Sequence, residues 1–417
     1  MKRNYYIVGL ILLTFFVISF FTNILGALNQ SVSESFGLTE TMAGFLPFAF
    51  FIAYGVMSIP SGFLLEKFGE KRMLVLAFSL ALAGALGFAS SPTFTIFMIS
   101  LFTIGSGMAM LQVIINPLLR VSGGEENYAF TSVMAQLIFG AASFISPLMY
   151  SYLVVNIDKG AFNKPLIELF SSLVPQSMSW VSVYWVFAVM ALLMIVVMFI
   201  TKFPKVELKE DEKVGTKESY FTLFKNKYVI LFFLGIFAYV GTEQGISYWM
   251  SKYLLTSHGF DNQTVGASAV AYFWGLMTIG GILGLLLLKI FDSKVVLRGF
   301  TILAMISLLL ALFGPASVSL YAFPISGFFL SVMYPIIISL ALNSVKSHHG
   351  SFAGILMTGI MGGAVVQLLV GFISDISSLR VGMIFLLLPM AYILSIGFWA
   401  KPLINNKTLK LKEILKK

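Results

Sequence analysis

The sequence predicts an all-α membrane protein of twelve transmembrane helices, arranged as two six-helix pseudo-symmetric halves. Three observations predict it. Twelve apolar stretches are each long enough to bridge a hydrocarbon layer of ~30 Å at ~1.5 Å rise per residue. Read as crossings, they leave 23 of the 27 Lys and Arg residues on one side, which the positive-inside rule assigns to the cytoplasm together with both termini. The most highly charged stretch, between Lys202 and Lys227, then falls between the sixth and seventh crossings. Composition agrees: 58% hydrophobic residues, 11% charged residues and a mean hydropathy of +0.93 are incompatible with a water-soluble surface. The net charge of +9 follows from the topology and gives no reason to invoke nucleic acid. With no Cys in the chain, disulfides and thiolate metal sites are excluded.

Helix 1 is placed at Tyr5–Asn29. Lys2 and Arg3 before it give it the look of a signal peptide, but the run is long and lacks a small-residue cleavage site, so it is read as a crossing. Asn23, Asn29 and Gln30 lie in its outer half. Helix 2, Thr41–Leu65, leads into the loop Gly62-Phe63-Leu64-Leu65-Glu66-Lys67-Phe68-Gly69-Glu70-Lys71-Arg72. An acid at this rim can pair with a basic partner only while an inner gate is shut, and Arg120 at the end of helix 4 is the candidate partner for Glu66. Ordinary surface ion pairs, worth little each, are the competing reading. Helix 3 is Met73–Ser90 and helix 4 is Phe94–Leu119. Gln112 and Asn116 share one face of helix 4 at four-residue spacing, followed by Pro117. They either line a cavity and bond sugar hydroxyls or help satisfy carbonyls that Pro117 frees.

Helix 5, Asn127–Val155, contributes Gln136, and helix 6 is Trp180–Thr201. The run Lys-Val-Glu-Leu-Lys-Glu-Asp-Glu-Lys, inside the segment that follows, must sit in water. The domains expected are therefore an N-terminal bundle over 1–201, a cytoplasmic linker over 202–227, a C-terminal bundle over 228–400 and a cytoplasmic tail over 401–417. Helix 7, Tyr228–Leu255, holds Glu243, the one acid of 18 at mid-span, with Gln244 beside it. An ionised carboxylate facing lipid there costs several kcal/mol, so Glu243 must face a wet cavity, be paired or be protonated. Ion coupling or substrate contact is one reading; a structural hydrogen bond to a neighbouring helix is the other.

Helix 8, Thr264–Leu288, repeats helix 2: Trp274-Gly275-Leu276-Met277-Thr278-Ile279-Gly280-Gly281 aligns with Tyr54-Gly55-Val56-Met57-Ser58-Ile59-Pro60-Ser61-Gly62. Parallel six-helix repeats put a binding site near the midplane between the halves and imply alternating access. Trp180, Trp185, Trp249 and Trp399 lie near helix ends, as an aromatic belt requires. Trp274, at mid-span, either stacks on the apolar face of a pyranose or packs in the core. Helix 9 is Val295–Phe313. Helix 10, Ser317–Asn343, carries Tyr334 before Pro335, and His348 and His349 follow in a solvated loop. Gln367 lies in helix 11, Ser351–Ser374, and helix 12 is Val381–Ala400. Neutral donors and acceptors predominate across these mid-span positions, which suits a neutral polyhydroxylated solute better than an organic anion.

The loop after helix 2 resembles the signature of the major facilitator superfamily, with Glu66 for its Asp and Glu70 for an Arg. Gly105-Ser106-Gly107-Met108-Ala109-Met110-Leu111-Gln112-Val113-Ile114-Ile115-Asn116-Pro117 is similar to the fucose/galactose/glucose proton symporter family of that superfamily. So are Ala135-Gln136, Tyr239-Val240-Gly241-Thr242-Glu243, Met333-Tyr334-Pro335 and Gly359-Ile360-Met361-Gly362-Gly363-Ala364. The resemblance implies a major facilitator fold in a bacterial inner membrane, a monosaccharide cargo and uptake driven by a cation gradient, H+ or Na+. The chain departs from the fucose symporter of the family, which has an acid at the position of Gln112 and an Asp after Asn where Asn29-Gln30 stands here. It also has an Asn near the position of Phe139.

The expected function is a secondary active importer of a sugar or similar neutral solute, with membrane lipid around it, a monomer, and no cofactor or metal. Glu243 is the expected coupling residue. Asn23, Asn29, Gln30, Gln112, Asn116, Gln136, Gln244, Trp274, Tyr334 and Gln367 are the candidate substrate contacts. An exporter of lipophilic compounds on the same fold is the first rival. An intramembrane enzyme is the second, and one mid-span acid with no intramembrane His argues against it.

Overall fold

The structure, a computed structural model, describes residues 4–124, 128–160, 164–203, 217–345 and 347–403. Lys2, Arg3 and Lys346, residues 204–216 of the expected linker and most of the expected tail lie outside the described residues.

Twelve helices long and apolar enough to cross a membrane are present among the described residues. Helices 1 to 6 span Tyr5–Phe36, Glu40–Phe68, Glu70–Ser90, Phe94–Gly123, Tyr128–Asp158 and Ser179–Ile200. Helices 7 to 12 span Lys227–His258, Asn262–Ile290, Ser293–Phe313, Ala316–Leu342, His349–Ile376 and Leu379–Trp399. Local chemistry sets many of the ends. Thr39 and Thr93 cap helices 2 and 4 by accepting from Met42 N (3.3 Å) and Ile96 N (3.4 Å). Asn226 and Asp292 do the same for helices 7 and 9. Gly37 and Gly259 end helices 1 and 7 in the left-handed region, at φ 61° and 71°. These two stops occupy equivalent places in the two halves.

The packing repeats as well. Helix 2 packs on helix 4, helix 3 on helices 4 and 6, and helix 1 on helix 5; helix 8 packs on helix 10, helix 9 on helices 10 and 12, and helix 7 on helix 11. Each pairing in the first half thus has its counterpart six helices later. Helices 2 and 11, helices 5 and 8, and helices 1 and 7 join the halves.

Several central helices are broken near mid-membrane. Helix 1 stops at Thr22 and resumes at Leu25. Helix 10 breaks at Ser331–Val332 and helix 12 at Phe385–Leu386, four residues before Pro335 and Pro389 at the first residue of each pair, where proline deletes the bond to the carbonyl one turn earlier. Helix 11 narrows to a 3-10 turn over Gly359–Met361. Irregular backbone inside a crossing is tolerated only where protein or a wet cavity satisfies it.

The aromatic belt holds only in part. Trp180 is buried and donates from Nε1 to Ser35 Oγ (2.9 Å), and Trp249 is fully buried, T-shaped against Tyr248. Trp249 sits well inside helix 7, whose C-terminus runs beyond the expected end to His258. Both rings are core residues, because the helices around them are longer and more enclosed than their apolar runs.

Candidate functional site

Helix 7 carries the centre of the site. Glu243 lies midway along it, half-buried, with Tyr239 one turn earlier on the same face. Tyr239 Oη donates to Glu243 Oε1 at 2.8 Å, and Gln244 Nε2 reaches Oε2 at 3.5 Å. The same Gln244 nitrogen contacts Asn23 Oδ1 at 3.4 Å, across the seam between the halves. Asn23 is the residue at which helix 1 breaks. Its Nδ2 donates to Ser143 Oγ on helix 5 (2.8 Å), and Ser143 Oγ lies 2.6 Å from Ser19 Oγ, which also donates to the carbonyl of Phe139. A continuous polar chain therefore runs from the mid-span carboxyl in one half to two helices of the other. On its far side, the Tyr239 ring lies 5.6 Å from that of Tyr334, whose hydroxyl approaches Met357 Sδ at 3.8 Å.

Helix 4 adds a second polar element. Gln112, Asn116 and Arg120 follow one another at four-residue spacing; Gln112 is half-buried and Asn116 exposed, in a helix otherwise largely enclosed. Asn116 Nδ2 donates to the carbonyl of Gln112 at 3.3 Å. Pro117 deletes the bond to the carbonyl of Val113 rather than to that of Gln112, so this contact does not supply the relief expected of Asn116. Gln136 on helix 5 is also exposed, as is Glu66 after helix 2. All these groups lie in the part of the molecule nearer the starts of helices 1, 5 and 7, which we term the N-terminal face.

At the opposite face the halves are shut. Asn29, fully buried, donates to Tyr248 O (3.1 Å) and accepts from Ser33 Oγ (3.3 Å). Tyr248 Oη donates to Ala43 O at 2.6 Å. Gln367 is 0% exposed and donates to the carbonyl of Gly241 at 3.2 Å, stitching helix 11 to helix 7. Gln30 donates to Glu34 at 2.6 Å near the end of helix 1. Asn29, Gln30 and Gln367 thus have their donors committed to packing and closure. The Trp274 ring is buried edge-to-face on Phe273 (5.2 Å), with its Nε1 unpartnered among the described residues, and is enclosed by protein rather than presented to open space.

Of the expected site residues, the structure joins Asn23, Glu243 and Gln244 in one network and brings Tyr334 beside it; Gln112 is half-buried, and Asn116 and Gln136 are exposed. Glu66 and Arg120 both lie at that face, at the ends of helices 2 and 4. Sequence reasoning gave no role to Tyr239, Ser19 and Ser143. Tyr239 was legible, as a hydroxyl one helical turn from the only mid-span acid; the serines were not, because they act through a neighbouring helix. The apolar groove between helices 9 and 10, lined by Ile306, Leu310, Tyr321 and Phe329 among others, has almost no polar lining and does not include this network.

Twelve helices in two repeated halves, broken at mid-membrane around one carboxyl, define a secondary transporter of the alternating-access type. The family model of the Major Facilitator Superfamily matches residues 10–367. The chain is 27% identical over 410 residues to a glucose/galactose transporter of Brucella abortus, covering 95% of this chain and 94% of that one. It is 27% identical over 394 residues to the L-fucose-proton symporter of Escherichia coli, covering 90% and 88%. The crystal structure of the E. coli fucose:proton symporter in the outward conformation superposes with a TM-score of 0.68 at 23% identity, over 94% of this chain and 98% of that one. An inward-facing, occupied bacterial homologue of the human lysosomal transporter Spinster superposes with a TM-score of 0.77 at 13% identity, over 96% and 97%. The chain belongs to the Major Facilitator Superfamily, and within it to the family of the fucose, galactose and glucose symporters.

Proposed function

We propose that this protein imports a monosaccharide by proton-coupled alternating access, with Glu243 as the proton carrier. The observation that carries the reading is the placement of Glu243: the one mid-span acid is hydrogen-bonded by Tyr239 and linked through Gln244 to Asn23 of the other half. A carboxyl whose charge is costly at this depth releases that cost by taking up a proton. The change from acceptor-only carboxylate to a group that also donates must be felt by Gln244 and Asn23. Such a link lets protonation in one half bias the arrangement of the other. The groups around the carboxyl favour a proton over Na+, since hard cations are held by several converging oxygens, whereas a phenol and an amide NH2 converge here.

The side-chain amides of Gln112 and Gln136 and the carbonyl oxygen of Asn116 supply the neutral donors and acceptors that sugar hydroxyls need. A lipophilic cargo would leave them unpaired. The glucose, galactose and L-fucose handled by the relatives are the first cargoes to test. Reconstituted in liposomes with an imposed proton gradient, the protein is expected to accumulate at least one of these sugars, and not to do so with a Na+ gradient alone. Gln112→Ala is expected to raise the half-saturation concentration about fivefold, as one lost hydrogen bond of ~1 kcal/mol would. No accumulation of any sugar under either gradient would overturn the assignment.

The charge bias orients the N-terminal face toward the cytoplasm. A single Cys in place of Lys159, at the end of helix 5, is expected to react in intact cells with an impermeant maleimide, and one in place of Lys225, before helix 7, only after permeabilisation. Both positions are exposed, and the absence of native Cys leaves no background. The reverse pattern would invert the proposed topology.

A further inference from the structure

Lys252 is one of four cations the topology leaves outside, yet it is only 5% exposed. A buried ammonium is tolerated when a partner compensates it. The partner comes from the other half: Glu40 Oε2, in the first turn of helix 2, lies 2.7 Å from Lys252 Nζ, an ion pair. Ser33 Oγ on helix 1 lies 3.5 Å from the same nitrogen, and the Trp249 ring flanks it at 6.0 Å. A second contact grips the same turn. Asp375, near the end of helix 11, accepts from the backbone N–H of Glu40 through Oδ1 and of Thr41 through Oδ2, both at 2.8 Å. With Thr39 Oγ1 taking Met42 N, the opening donors of helix 2 are satisfied, two of them only by the other half. The carboxylate also faces the positive end of the helix dipole.

We propose that Lys252, Glu40 and Asp375 form a two-point lock that holds the opposite face shut, and that releasing it is an obligatory step toward the state open on that side. Opening must pull helix 2 away from helices 7 and 11. That separates the ion pair and strips two backbone donors of their acceptor at once, so both points break together and the face is either shut or open. A polar recess of about 460 Å³ lined by Glu40, Thr256, Ser257, Ser374, Ser378 and Arg380 borders the lock, which lets water solvate the parted charges when the helices separate. The three residues thereby set how much of the resting population is closed on that side.

The inference rests on the alternating-access reading but not on the identity of the cargo, and the test separates the two. Nitroxides at Ser91→Cys and Ser317→Cys, exposed sites on the same face in opposite halves, report the opening of that face by pulsed EPR without any sugar present. The otherwise native protein is expected to show mainly the shorter distance. Glu40→Gln, Lys252→Met and Asp375→Ala are each expected to raise the longer-distance population roughly tenfold, as loss of a charge-assisted contact would. The charge swap Glu40→Lys with Lys252→Glu is expected to restore the shorter distance. Should Lys252→Met not fold, Glu40→Gln and Asp375→Ala carry the test. Unchanged distances in the folded variants would overturn the lock, and so would a charge swap that fails to reverse the single changes.

Discussion

Glu243→Gln is expected to abolish gradient-driven accumulation of sugar while leaving exchange of sugar between two loaded compartments in place. The substitution keeps the shape of the side chain and an acceptor oxygen for Tyr239 Oη, now 2.8 Å from the carboxyl, but removes the ionisation on which the proposed coupling depends. An always-neutral side chain mimics the protonated carrier. Loaded protein can then alternate, because no uncompensated charge crosses the low-dielectric centre. The empty return that must release the proton has nothing to release, so net uptake stops. Proteoliposomes preloaded with unlabelled sugar measure exchange, and empty ones under an imposed proton gradient measure accumulation. Full accumulation by the variant would place coupling elsewhere. Loss of both activities with loss of folded protein would make Glu243 structural, as a buried network that fails as a unit does.

The second large effect is expected at Gly26. Here helices 1 and 7 touch backbone to backbone: a Cβ on Gly26 would overlap the carbonyl of Ser247. Neither main chain can move without disturbing the hydrogen bond from Asn29 Nδ2 to Tyr248 O. Gly26→Val is therefore expected to hold the opposite face open, retaining sugar binding from that side while net transport falls. Overpacking of this kind costs about 1–3 kcal/mol, or roughly 5- to 160-fold in the closed-to-open ratio. Gly9, in the same helix, has nothing within 4 Å of its Cβ position, and Gly9→Val serves as the control that transports normally. Equal transport by the two variants would show that helices 1 and 7 do not close at Gly26 during the cycle.

Much of this was readable before the fold was known, and the exceptions have one cause. The apolar runs located all twelve helices, with most ends correct within a few residues. Helix 1 was the clear shortfall, expected to end at Asn29 and running to Phe36. The polar run Asn29-Gln30-Ser31-Ser33-Ser35 looks like an exit into water, yet neighbouring helices satisfy much of it. Ser31 Oγ bonds Tyr150 Oη (2.7 Å), Asn29 bonds Tyr248 O, and Ser35 Oγ accepts from Trp180. Hydropathy reads a segment against water or lipid and is blind to a polar protein neighbour. The same blindness placed Trp180 and Trp249 in the belt and hid the hydrogen bonds that Asn29 and Gln367 donate to helix 7.

The sequence by itself determined the class, the number of crossings, the six-plus-six repeat, the singular position of Glu243 as an acid at mid-span and the expected orientation. These follow from quantities that add up along the chain: apolar length, charge per segment and the rarity of an acid at mid-span. The tertiary structure alone decided which amides face accessible space and which are spent on closure, that Tyr239 and Gln244 link Glu243 to Asn23, and that Lys252, Glu40 and Asp375 meet. Those residues stand far apart in sequence and on different helices, as with Glu40 and Asp375, and no periodicity within one helix specifies the rotation and depth at which it meets another. Interhelical packing sets both, and with them the partners of each polar group.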